Sequence, residues 1–450
     1  MDAKRAASLI LSWQLAARAY VASRPVSFWA ETLFVLFCLS IALFPFGQVF
    51  RVLPPLFCLP VLILLYRRDW PDRTLPRLPV RWLCAGFFVL VAFVVLASDW
   101  PALSWNTVRP NLLRGFLLLF VAMECVRSER DLRCLAGAFA FAAVAAGLSG
   151  TWQFATGADL LTGAAPLGPE HSTYTPGALS SLRDFRLTGP MGTYRVGNYL
   201  ALIGLPACGL FLLWPDKPVI RHPAARLALT MGVLAPAVFL WLGAQTRSGY
   251  LSTICGLYAA WLLFARPRWQ IALCIPLAGL LFVVFGPERV SLAHALADER
   301  RAIWSTAWQC WLAHPWFGTG AATYPEACAA LGITALSTGS ALPPHPHNIY
   351  LQWLVDGGLI GFAGFMLFAV VPTVWSGRTI RRGLLADPGR SAFWQLAALF
   401  WAGWFGYLVS GLAAHDFYRT WWISTSFSLL GILLGACARG SRPTGGTGTQ

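Results

Sequence analysis

The chain has 450 residues, of which 57% are hydrophobic and 12% charged, and its mean hydropathy is +0.59. One soluble core stops growing well below this length, so the balance excludes an ordinary soluble globular protein. The net charge of +15 is spread over many loops, which excludes a nucleic-acid partner and leaves membrane lipids as the surroundings. The composition therefore predicts an all-α, polytopic membrane protein.

Hydrophobic stretches long enough to cross about 30 Å of hydrocarbon as helices recur along the chain. They predict about twelve transmembrane spans, at 27–44, 48–66, 80–98, 110–126, 132–155, 196–214, 226–243, 248–265, 270–286, 347–374, 393–412 and 419–437. With the N-terminus inside, the inner side holds 23 of the 34 Lys and Arg residues and the outer side holds 11. Because basic residues favour the cytoplasmic side, both termini are predicted to be cytoplasmic.

The two ends of the chain lie outside these spans. Residues 1–26 are basic and amphipathic without a cleavable signal pattern, which predicts an N-terminus lying on the inner membrane surface. Residues 438–450 predict a disordered cytoplasmic tail. Most of the 11 cysteines fall in or beside spans, where a free thiol behaves as a small hydrophobe. Cys310 and Cys328 lie in an outer segment, which leaves a disulfide between them open.

Two connections on the outer side are too long to be simple turns. The first, 156–195, interrupts the block of spans at 27–286 and is rich in Gly, Pro, Ser and Thr. The second, 287–346, precedes the last three spans at 347–437. It contains one apolar helical face made by Trp304, Ala307, Trp308, Trp311 and Leu312. This face predicts a helix in the membrane interface, and long outer loops are where function concentrates.

Arginine dominates the basic residues of the outer side, whereas the two lysines of the chain, Lys4 and Lys217, are both inside. Five outer arginines stand near span ends or open the aromatic helix: Arg186, Arg195, Arg247, Arg300 and Arg301. A guanidinium binds phosphate through two parallel hydrogen bonds, which an ammonium group cannot match. The outer arginines therefore predict a phosphate-bearing ligand.

Some of these arginines also have an ordinary explanation. Arg195 could extend to the interface from a span end, and Arg301 could pair with an acidic neighbour on a solvated face. Arg247 differs, because its loop is only a few residues long and its side chain starts within the bundle. Flanked by Gln245 and Thr246, it is predicted to be functional.

His345 and His347 close the second outer loop just before the tenth span. An imidazole titrates near neutral pH and is the usual general base. The intervening Pro346 turns the two side chains in different directions, so at most one of them is expected to be the base. Interfacial side chains, or a helix cap with Asn348 as the capping residue, are the alternative.

The segment HNIYLQWLVDGGLIG, which starts at His347, resembles the signature of the O-antigen ligase and polymerase superfamily. Three further segments resemble its motifs in order: RLTGPMGT at 186–193, TRSGYL at 246–251 and RRAIWSTAWQCWLAHPWFGTG at 300–320. The resemblance covers about 180–375, and the earlier spans match in hydropathy alone. It places the family's histidine on His347, with His345 as second choice, and its arginines on Arg186, Arg247 and Arg300. Arg195 stands where polymerase-like members often have Pro-Asn.

The resemblance implies a multi-spanning glycosyltransferase of the GT-C type in the bacterial inner membrane, with its active site on the periplasmic face. Such enzymes take a glycan from undecaprenyl pyrophosphate, and the ligase branch transfers it to a sugar hydroxyl of lipid A–core oligosaccharide. No metal or other cofactor is implied. The arginines, including Arg195 and Arg301, would bind the pyrophosphate while His347 takes the acceptor proton with inversion. The supporting residues would be Asn348, Tyr350 and Gln245.

Three other functions stay open. An O-antigen polymerase would use the same residues with a second lipid-linked glycan as acceptor. A protein O-oligosaccharyltransferase would modify Ser or Thr, and such members often carry an additional soluble domain that is not visible in this sequence. A membrane transporter would place charges deep inside spans, yet most spans carry none, and the exceptions Glu31 and Glu124 lie near span ends.

Overall fold

The computed structural model describes residues 23–169, 172–193, 195–212, 222–265, 276, 299–387, 389, 391–413 and 416–440. The main helices within these ranges are α1 (Val26–Ala42), α2 (Gln48–Asp69), α3 (Arg81–Leu96), α4 (Pro101–Cys125), α5 (Glu129–Thr156), α6 (Val196–Ala207), α7 (Pro223–Gly243), α8 (Arg247–Ala260), α9 (Arg300–Ala313), α10 (Tyr324–Ala330), α11 (Ile349–Ala386), α12 (Ser391–Ser410) and α13 (Thr420–Gly440). Extended pairing in the described ranges is limited to two isolated bridges, Leu167 with Arg186 and Ala335 with Ala341.

Described helices overlap eleven of the twelve predicted spans, and the ninth, 270–286, lies outside the described residues except for residue 276. Seven helices in the described part are long and apolar enough to cross a membrane, and three shorter apolar helices accompany them. The described part is therefore helical and has several candidate spans, which confirms the prediction of an all-α, polytopic membrane protein. The total of twelve transmembrane spans stays a prediction. Most of the predicted N-terminal segment and tail also lies outside the described residues, although α13 continues to Gly440.

The bundle is organised around α13, which is buried along almost its whole length and packs most extensively on α4. Close approach depends on two glycines spaced four residues apart. A Cβ atom at Gly431 would lie 2.4 Å from the carbonyl oxygen of Leu119, and one at Gly435 would lie 2.5 Å from that of Met123. Small residues at this spacing allow two membrane helices to approach at backbone distance. Similar extensive contacts join α8 to α12 and α5 to α7.

The two acidic residues near span ends have structural partners. Both carboxylate oxygens of Glu124 accept backbone N–H groups, from Thr74 and Leu75, at 2.9 Å each. Glu31 pairs with Arg127 at 2.9 Å. These contacts give both carboxylates a role in holding helix ends, so neither supports the transporter alternative.

The long helix α11 breaks at Gly358, where φ is +60°. The break frees carbonyl groups on one side and N–H groups on the other, and the loop after α9 satisfies both kinds. Thr319 and Gly320 donate to the carbonyls of Val355 and Asp356 at 2.9 Å each. In return, backbone N–H groups of α11 donate to two loop carbonyls, Leu359 to Pro315 at 2.8 Å and Ile360 to Trp316 at 3.2 Å. The outer segment is thereby joined to α11.

We expect Gly358→Ala to destabilise the protein by at least about 2 kcal/mol, because it combines a left-handed backbone with a direct clash. The new Cβ would lie 2.3 Å from the backbone carbon of Trp316. Gly361→Ala is the matched control, since its Cβ would meet nothing closer than 3.6 Å. Thermal unfolding in detergent tests the pair, and equal melting temperatures for the two variants would contradict this account of the break.

The predicted aromatic helix is present as α9. Its buried face differs in part from the predicted one, because Ala307 lies in the core while Trp308 and Leu312 are largely exposed. The depth of α9 relative to a membrane stays a prediction. The Sγ atoms of Cys310 and Cys328 lie 3.0 Å apart as free thiols, so the two cysteines meet, and a disulfide between them also stays a prediction.

Candidate active site

The two histidines of the second outer loop stand at the start of α11, and the helix is capped just after them. The side-chain oxygen of Asn348 accepts the backbone N–H groups of Tyr350 at 2.9 Å and Leu351 at 3.2 Å, so Asn348 is the N-cap. The next backbone N–H, that of Ile349, donates to the carbonyl of Gly411 at 2.9 Å. These contacts fix the histidines against the connection between α12 and α13.

His345 and His347 contact each other. The backbone N–H of His347 donates to Nδ1 of His345 at 3.2 Å, and the ring centroids are 4.2 Å apart. His345 is only 2% exposed, whereas His347 is half-buried. His347 has φ +55°, a left-handed conformation that non-glycine residues rarely adopt.

Left-handed backbone at non-glycine residues is confined, in the described ranges, to Gln245, Ala322 and His347. Two of these three were selected from the sequence as site residues. Strained backbone of this kind persists only where the surrounding structure enforces it, and it clusters at functional sites. The side-chain amide of Gln245 donates to the carbonyl of Leu182, which fastens the turn between α7 and α8 to the first outer loop.

Charged groups from three other elements surround the histidines. Burial lowers the pKa of His347 to about 4, and His345, Arg195 and Arg300 contribute in the same direction. Asp416 opposes them. Burial, followed by Arg195, also lowers the pKa of His345 to about 4. Both imidazoles are therefore neutral at pH 7.

Asp416 lies in the connection between α12 and α13, and sequence reasoning missed it. Its Oδ1 accepts the side-chain amide of Gln352 at 3.0 Å and the backbone N–H of Tyr418 at 3.1 Å, and its Oδ2 pairs with Arg419 at 3.3 Å. Burial raises the pKa of Asp416, against these hydrogen bonds and Arg195. The available signal was a single acidic residue in a short outer loop.

Other residues of the HNIYLQ segment hold this arrangement together. The hydroxyl of Tyr350 donates to the carbonyl of Leu408 on α12 at 2.7 Å. Gln352 is buried, and its side-chain oxygen accepts the backbone N–H of Phe417 at 2.8 Å while its amide reaches Asp416. The motif thus fixes the start of α11 to α12 and to the connection between α12 and α13.

The arginine turns meet at the starts of α6 and α8. Arg195 immediately precedes α6, and Arg247 is the first residue of α8. The hydroxyl of Ser248 donates to the side-chain oxygen of Asn198 at 3.0 Å, which joins the two helix starts. Arg247 is exposed there. Arg195 therefore lies within electrostatic range of the histidines, and Arg247 lies on the adjoining turn.

The remaining predicted arginines are less central. Arg186 is exposed and lies within electrostatic range of Tyr250 on α8. Its neighbour Leu187 donates its backbone N–H to the carbonyl of Gly243 at 2.9 Å, which holds this loop on the end of α7. Arg301 is exposed on α9, one residue beyond Arg300. No group of three or more His, Cys, Asp and Glu side chains within the described ranges is arranged to hold a metal ion.

Comparison with known proteins gives a family for the part of the chain that carries most of these groups. Residues 231–366 match the family model described as O-Antigen ligase. None of the curated proteins matches the chain. The matched segment includes Arg247, Arg300 and both histidines, whereas Arg195 and Asp416 lie outside it. Three of the four motif segments lie within the match, whereas RLTGPMGT at 186–193 lies outside it, and the match supports the resemblance of this membrane protein to the O-antigen ligase and polymerase superfamily.

Proposed function

We propose that this protein is an O-antigen ligase that transfers a glycan from undecaprenyl pyrophosphate to a sugar hydroxyl of lipid A–core oligosaccharide. In this proposal the site opens on the periplasmic face of the bacterial inner membrane, and both termini are cytoplasmic. The observation that supports it most is that the neutral His347, at the start of α11, lies within electrostatic range of Arg195 and Arg300. Such a site combines a proton acceptor with fixed cations.

The cations act on the leaving group. As the bond between the anomeric carbon and the pyrophosphate oxygen breaks, negative charge grows on the pyrophosphate. Guanidinium groups already held in place by the protein stabilise this charge without reorganising, and one such donor is typically worth about 2.7–4 kcal/mol. Arg195 and Arg300 act electrostatically on the base, and Arg247 and Arg186 extend the cationic surface along the adjoining turns.

The base acts on the acceptor. His347 takes the proton of the acceptor hydroxyl while that oxygen attacks the anomeric carbon from the face opposite the pyrophosphate, which inverts the configuration. A lone pair is available because His347 is neutral above about pH 4. Bound pyrophosphate offsets the positive charges of Arg195 and Arg300, so it raises the pKa of His347 in the complex. The donor thereby strengthens the base that acts on it.

Asp416 supports the same proton transfer. Its carboxylate favours the charged form of His347, so it stabilises the imidazolium that forms when the acceptor proton arrives. Its hydrogen bonds from Gln352 and Tyr418 hold the carboxylate in place.

Arg195 favours the ligase over the polymerase, since polymerase-like relatives often have Pro-Asn at that position.

Reconstitution tests the function. We expect purified protein in proteoliposomes, given undecaprenyl-pyrophosphate-linked glycan and lipid A–core, to form glycan-bearing lipid A–core that is resolved on a gel. The yield should persist in EDTA, because arginines supply the charge compensation. Longer lipid-linked glycans instead would indicate a polymerase, glycosylated Ser or Thr would indicate a protein transferase, and lipid movement without product would indicate a transporter.

A further inference from the structure

The contact between the two histidines defines which ring nitrogen of His345 carries the proton. Nδ1 of His345 accepts the backbone N–H of His347 at 3.2 Å, so in the neutral ring the proton resides on Nε2. That Nε2 is buried and has no hydrogen-bond partner in the described part of the chain. An unsatisfied buried donor is unfavourable, so this ring orientation is maintained against a local free-energy penalty.

The bonded backbone group belongs to the residue with left-handed backbone. The conformation of His347, at φ +55°, is unfavourable for a residue other than glycine, and the bond to His345 is formed in that conformation. The two rings lie 4.2 Å apart at an angle of 62°. His345 is thus placed to determine where the His347 side chain leaves the backbone.

We propose that His345 is a positioning residue: its Nδ1 holds the backbone N–H of His347 and so fixes the left-handed turn that directs the His347 imidazole to the acceptor. This inference rests on the proposed function, because the group being positioned is the general base. It divides the roles of the two histidines, since a ring whose Nδ1 is occupied and whose Nε2 carries the proton is a poor proton acceptor.

Several charged groups act on the His347 ring from different elements. Arg195 approaches from the start of α6, Arg300 from α9 and Asp416 from the connection between α12 and α13, and His345 is the neighbour on the same loop. Of these, His345 and the arginines oppose protonation of His347, while Asp416 favours it. Removing the His345 ring should therefore make His347 easier to protonate.

Two amide variants separate the proposed role from a general loss of structure. Asparagine places its side-chain oxygen where histidine has Nδ1, so His345→Asn keeps an acceptor for the N–H of His347. Glutamine places its amide one bond further out, so His345→Gln loses this acceptor while it preserves bulk and polarity. His345→Ala removes both the acceptor and the polar bulk of the side chain.

We expect kcat to fall about 100-fold in His345→Ala and His345→Gln, as for a misplaced reacting group, with little change in KM. His345→Asn should recover to within about tenfold of the unmodified protein. In His345→Asn the acid limb of kcat/KM should move to higher pH, because a group that opposes protonation of His347 is gone. A purely structural defect would reduce the active fraction without moving the limb.

The outcomes separate this inference from the proposed function. Absence of transfer by the unmodified protein would overturn both. The positioning role alone would be overturned if the unmodified protein transferred glycan normally and His345→Asn were as impaired as His345→Ala. Full activity of His345→Gln would overturn it as well. Nitrogen-15 spectra of histidine-labelled protein, assigned with His345→Asn, give a readout independent of activity. We expect a signal at pH 7 from an unprotonated Nδ1, and a protonated Nδ1 on His345 would also refute the inference.

Discussion

His347→Asn is expected to lower kcat for glycan transfer by roughly 10²–10⁴-fold, the usual contribution of a positioned general base. Asparagine tolerates left-handed backbone better than most residues, so the turn at φ +55° should survive while the proton acceptor is lost. Transfer to lipid A–core in proteoliposomes measures the effect. His314→Ala is the control, because His314 is an exposed histidine at the end of α9.

The pH profile provides a second measurement for the same residue. With a pKa lowered to about 4, His347 stays neutral and active as the pH falls from 7, and kcat/KM should decline only as the pH approaches that value. The acid limb of kcat should lie at higher pH, since the bound pyrophosphate raises the pKa of the base. If His347→Asn kept full activity or the same acid limb, His347 would not be the base.

Arg247→Lys is expected to reduce kcat by about 10²–10³-fold, comparable to removal of one preorganised donor to a developing oxyanion. Lysine keeps the charge but cannot form two parallel hydrogen bonds to one phosphate. Arg109→Lys is the matched control, because Arg109 is also exposed on the predicted outer side, where it contacts Trp105. Full activity of Arg247→Lys would show that Arg247 supplies charge alone or lies outside the donor site.

The helices were predictable because hydropathy is a local property. A run of apolar residues favours a helix wherever it packs, and described helices accordingly overlap the predicted spans outside 270–286, although several of their ends differ. The cap at Asn348 was predictable for the same reason, since it depends on residues next to it in sequence. The break at Gly358 was not, because a glycine inside an apolar run looks the same in sequence whether or not another segment docks against it.

The candidate site was only partly predictable, because its contacts join distant parts of the chain. His347 and Arg300 could be selected from motif spacing, but the placing of Arg195 and Asp416 within electrostatic range of His347 depends on how α9 and α13 pack on α11 and how α6 packs on α12. Asp416 had no motif to mark it. The role of Gln352 as a bridge to Asp416 was likewise invisible, since a glutamine near a helix start has many possible partners.

A bilayer interior accepts irregular backbone only where the protein itself supplies every missing hydrogen bond. At the break in α11, the loop from Pro315 to Gly320 returns donors and acceptors for the groups that the helix releases. The protein thus satisfies the main-chain N–H and carbonyl groups at the break itself, and lipid need not solvate them. Arg300 and His347 lie on the two segments that these hydrogen bonds connect, so their separation is set by main-chain geometry and should change little when a bulky glycan arrives.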